Sequence, residues 1–128
     1  MAVKTLNEAT EIRELNKVMA LAPTANSLDA IFIAPSVAAD GIEFLQTGRE
    51  IVLIQNSDPT NPYVFTLVSV ADELNRTGNV GPYTLQAGEI VPILINPKGF
   101  KSASTGKVLI TMDNAAIKVA VCRIPSQV

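Results

Sequence analysis

Four acidic residues are the first place to look for chemistry. Glu43 and Glu50 lie seven positions apart, and Asp72 and Glu73 are adjacent. Two carboxylates can divide acid and base work between them. Neither pair sits in a motif, and Asp72 and Glu73 open a polar loop, where acids are ordinarily solvated. Cys122 is the sole cysteine, and the chain has no histidine. Lack of imidazole removes Ser-His-Asp and Cys-His machinery, His-ligated zinc and imidazole acid–base catalysis. Without a base beside it, Cys122 reads as a small packed hydrophobe rather than a nucleophile. Alone, it makes neither an internal disulfide nor a metal site. Gly78-Asn79-Val80-Gly81 has the glycines of a phosphate loop, but Pro82 and a strand follow where a helix N-terminus is needed. Asp58 and Asp113 lack the regular acidic spacing of a calcium loop. Asn75-Arg76-Thr77 matches a glycosylation sequon. Its use needs secretion, and Glu8, Glu11, Arg13 and Glu14 interrupt any signal-peptide core, which predicts cytoplasmic synthesis. The residues predict no enzyme, no metal site and no cofactor.

The elements that would position these groups are mostly short strands. Turn residues separate eight of them: Leu28–Ala34, Ile42–Leu45, Glu50–Gln55, Tyr63–Ala71, Pro82–Gln86, Glu89–Ile95, Lys107–Asp113 and Ile117–Ile124. Asn56-Ser57-Asp58-Pro59-Thr60-Asn61-Pro62 is a dense turn cluster. Glu50–Gln55 is nearly all apolar, as in a strand buried on both faces. Pro92 predicts an edge strand or a bulge. The last two strands alternate most clearly, with Val108, Ile110 and Met112 on one core face and Ile117, Val119 and Val121 on the other. Flanking Asn114-Ala115-Ala116, they read as a hairpin. The pattern predicts an all-β antiparallel sandwich or jelly roll over residues 28–128.

Residues 1–27 differ in kind and read as an arm, helical or extended. Ile12, Leu15, Val18 and Met19 recur at helical spacing, and Thr5 with Glu8 has the spacing of a capping box. A helix so short needs a partner surface. Leu6, Ile12, Leu15, Val18 and Met19 are therefore the expected docking residues of the arm.

Composition bounds the rest. A length of 128 residues gives one domain. At 48% apolar and 17% charged, the chain has too little charge for a disordered one. The net charge of −2 advertises no nucleic-acid surface. Apolar runs such as Ile51–Ile54 are far shorter than the ~20 residues of a membrane span. Charge is uneven: residues 1–50 and 51–97 each carry −3, and residues 98–128 carry +4. A basic patch including Lys98 and Lys101 would dock an acidic surface on a neighbouring subunit.

Ala34-Pro35-Ser36-Val37-Ala38-Ala39-Asp40-Gly41-Ile42-Glu43-Phe44, followed by Thr47-Gly48-Arg49-Glu50-Ile51-Val52-Leu53-Ile54-Gln55-Asn56, resembles the opening of the capsid auxiliary proteins of tailed bacteriophages, also called decoration or cement proteins. The later order is similar: Val68–Ala71, a loop, Tyr83-Thr84-Leu85-Gln86-Ala87-Gly88-Glu89, and a final segment ending Val119-Ala120-Val121-Cys122-Arg123-Ile124. The similarity covers roughly Leu28–Ile124. Where such proteins often continue towards a Gly-Pro-aromatic step, this chain has Ile90-Val91-Pro92-Ile93. The resemblance implies a non-enzymatic protein on the outside of a phage head, set over junctions of the major capsid protein, often as a trimer. A head–tail connector or tail component, and a cellular β-sandwich binding module, are the alternatives.

Overall fold

Alternation along the strands builds two sheets around one core. The computed structural model describes residues 3–6, 9–11, 29–70, 78–94, 100–102 and 105–124. These contain β1 (Lys4–Leu6), β2 (Ala9–Glu11), β3 (Ile42–Leu45), β4 (Glu50–Asn56), β5 (Tyr63–Val68), β6 (Val80–Leu85), β7 (Ile90–Leu94), β8 (Lys107–Met112) and β9 (Ile117–Arg123), with a 3-10 turn at Ala38–Asp40. Sheet A has the order β1-β3-β8-β5-β6, and sheet B the order β2-β9-β4-β7. Every pairing is antiparallel except those of β1 with β3 and β2 with β9. The protein is an all-β sandwich.

The core is what the two inner faces share. Sheet A contributes Ile42, Phe44, Phe65, Leu67, Val108, Ile110 and Met112, and sheet B contributes Val52, Ile54, Ile117, Val119 and Val121, all buried. These are every second residue of their strands, as the two-residue period demands. Gly41 leads into β3 with φ +80° and lies against the Ile110 carbonyl. A side chain there would need both a left-handed backbone and space that the carbonyl occupies.

Three expectations are corrected. The Lys107–Met112 and Ile117–Arg123 strands do not form a hairpin ladder. Their turn carries the chain from sheet A to sheet B, because both apolar faces are then satisfied across one core. Residues 29–34 make no strand beyond a single bridge of Ile33 to Val119. At the N-terminus, Lys4–Leu6 and Ala9–Glu11 are strands rather than the start of a helix. The Thr5 hydroxyl donates to Glu43 Oε1 at 3.1 Å, so β3 holds it instead of a helix cap. Ile12, Leu15, Val18 and Met19 lie outside the described residues.

Candidate interaction surface

Glu43 and Glu50 are both committed to structural partners. Glu43 faces outward on sheet A, where it accepts from Thr5 and meets Lys107 Nζ at 3.5 Å. Glu50 is fully buried at the start of β4. It accepts from the Thr47 amide and hydroxyl, each at 2.6 Å, from the Arg49 amide at 3.3 Å, and from Arg123 Nε at 2.6 Å. Burial alone would raise its pKa. The Thr47 hydroxyl, Arg123 and the Thr47 amide outweigh that and hold it at about 2. Such a carboxylate is a clamp on the 47–49 turn and on β9, not an acid or a base. Asp58 accepts from the Thr60 and Asn61 amides, which lower its pKa. Asp113 accepts from the Val64 amide at 2.9 Å. Asp72, Glu73 and the Asn75-Arg76-Thr77 sequon fall outside the described residues. Asn79 Oδ1 accepts from the Ser69 amide at 2.8 Å, and the Gly78 amide donates to Ser69 Oγ at 2.9 Å, so this loop is occupied with itself. Among the described residues no three potential metal ligands cluster, and no helix is long and apolar enough to cross a membrane.

What remains is a surface. On sheet A the outward residues are mixed: Thr66 faces Thr111 and Val64 faces Thr84, with the Glu43–Lys107 pair beside them. Sheet B differs. The register brings Ile51, Leu53 and Gln55 of β4 between Leu94, Pro92 and Ile90 of β7 and Cys122, Ala120 and Lys118 of β9. Lys118 is the single charge among these nine. Leu94 is 71% exposed and Ile90 50%, whereas Ala120 is buried and the β4 residues are half-buried. Burial of its surroundings raises the Cys122 thiol pKa, which suits packing and not attack. The apolar run of β4, read from sequence as doubly buried, is covered by core on one side and half-open on the other.

β7 of sheet B and β6 of sheet A are edge strands that each carry a proline. Asn56 N donates to Glu89 O at 3.0 Å, which sets the phase of the β4–β7 ladder. Val91 and Ile93 then bond β4, while Ile90, Pro92 and Leu94 turn their backbone groups outward. Pro92 has no N–H to offer there. On sheet A, Asp113 N donates to Val64 O at 3.1 Å, so Tyr63 and Phe65 face β6 and Pro82 turns outward in the same way. Each open edge on this side of the sandwich therefore has a proline where an added strand would need a donor.

Of the docking residues expected from sequence, only Leu6 and Lys101 lie among the described residues. Leu6 is 5% exposed and packs in the chain's own core, which removes it from any external contact. Lys101 is half-buried beside Gly106, and Lys98 lies outside the described residues. Sequence reasoning missed the outer face of sheet B, because only the register puts Ile51, Leu53, Ala120 and Cys122 side by side. No protein-family model, curated protein or solved structure matches this chain.

Proposed function

We propose that this chain is a non-enzymatic structural protein of a phage head that decorates the capsid exterior and bridges major capsid subunits. The observation that carries the reading is the outer face of sheet B: apolar, singly charged, half-open and mounted on a rigid sandwich. The similarity to decoration proteins over Leu28–Ile124 supports the same reading. Proline-blocked edges favour docking of side chains against side chains over strand addition. Three strands at ~4.8 Å spacing and five residues at ~3.4 Å rise make the strip roughly 14 Å by 17 Å. That is well below the ~800 Å² that a standard interface takes from each partner. One such contact is weak, and many copies bridging a shell gain by avidity. A protein that binds only the assembled shell stabilises it by mass action.

The first test is copy number in purified particles of the source, by quantitative mass spectrometry against the coat protein. Hundreds of copies in fixed ratio support the reading. A dozen or fewer move the protein to the neck or tail, and none refutes a virion role. The face is tested by Leu94→Asp. Stability should stay within ~0.5 kcal/mol, because the side chain is exposed, while shell binding falls at least ~10-fold, the cost of one desolvated charge. Unchanged binding removes sheet B from the contact.

A further inference from the structure

β1 and β2 attach to the sandwich as separable pieces. Both are edge strands, both run parallel to their partner, and each pairs over three residues. A parallel strand is not tied to its partner by a tight turn. Lys4–Leu6 lie at the edge of sheet A and Ala9–Glu11 at the edge of sheet B, and the rest of the chain supplies a slot for each. Gly41 O accepts from Lys4 N at 3.1 Å, Glu43 accepts from Thr5, and the core receives Leu6.

The connection that follows is much longer than this arrangement needs. The chain leaves the slot at Glu11, opposite Arg123, and is back beside the same strand at Ile33, opposite Val119. Four steps along β9 separate these points, roughly 13 Å at ~3.3 Å per residue. Twenty-one residues, 12–32, join them, and their extended reach is ~70 Å.

We propose that the slots beside β3 and β9 accept residues 4–11 of a second copy of this chain as well as its own, so that neighbouring copies are linked by exchanged arms. The bonds made in the slot are the same in both cases, so concentration decides between them. A chain's own arm, tethered through 21 residues, is present at an effective concentration on the order of millimolar. Exchange prevails where copies are packed at that density. The inference stands on the slots and not on the shell reading, so free protein tests it and its failure leaves that reading intact.

Thr10 lies opposite Cys122 in the β2–β9 register. The interstrand spacing of ~4.8 Å falls within the Cα separation that a disulfide spans. Thr10→Cys in the full chain therefore reports whose arm fills the slot. The variant is equilibrated in a glutathione redox buffer from about 10 µM to a few millimolar, trapped, and separated denatured without reductant. The expected result is an internal disulfide at low concentration and disulfide-linked dimers or larger species rising to about half the product near millimolar. The unsubstituted chain corrects for direct pairing of Cys122 between copies. Internal disulfide alone across the whole range, or no cross-link at all, overturns the proposal. If Thr10→Cys does not fold, Thr5→Cys with Glu43→Cys in a Cys122→Ala chain gives the same readout at the other slot.

Discussion

Replacing Glu50 with Gln removes the charge of a fully buried carboxylate that four donors hold. Its pKa falls from 4.5 to about 2 on folding. A depressed carboxylate stabilises the fold above its unfolded pKa and loses that contribution as pH falls through the folded one. At about 1.4 kcal/mol per unit, the ionised form contributes about 3 kcal/mol at neutral pH, less than half of that at pH 3 and little at pH 2. Urea unfolding of the wild type and Glu50→Gln between pH 7 and pH 2 reads this directly. Subtracting the two curves cancels the other carboxylates. The difference should be flat above pH 5, shrink steadily below 4.5 and nearly vanish at pH 2. A difference under ~0.5 kcal/mol at pH 7, or one that does not change with pH, refutes the clamp.

Two further changes probe the backbone. Gly41→Ala should cost at least about 2 kcal/mol by denaturant unfolding, from a left-handed residue pressed on the Ile110 carbonyl; a loss below ~0.5 kcal/mol counts against that packing. Pro92→Val restores an outward N–H on β7. Static light scattering should then show association at micromolar concentrations beyond that of the parent, with the unfolding midpoint little changed. A variant that scatters like the parent removes the argument for a blocked edge.

Much of the sandwich was legible because burial on one face writes a period of two into the residues. β3, β4, β5, β8 and β9 were located within a few residues, and Pro92 marked an edge strand. Partners were not legible. Val108, Ile110 and Met112 alternate identically whether β9 lies beside them or across the core, and only the second occurs. β1 and β2 are three residues each, too short for any period, and Thr5 with Glu8 fits a helix start equally well. Glu50 gave no sign of burial, since its partner Arg123 is 73 residues away. The outer face of sheet B combines residues from three strands, so no single window of sequence contains it.

The position of β9 between β2 and β4 has a consequence during synthesis. Pairing of β4 with β9 joins residues 50–56 to 117–123, and β3 meets β8 across a similar interval. Among the described strands, only β5 and β6 are sequence neighbours that pair with each other. Pairings this distant fold slowly. A nascent chain that has not reached Ile117 holds β4 with no β9 beside it, so the flank of Val52 and Ile54 is open to other proteins. Translation paused before Ile117 should therefore leave a protease-sensitive chain, and resistance should arrive abruptly once Arg123 clears the ribosome.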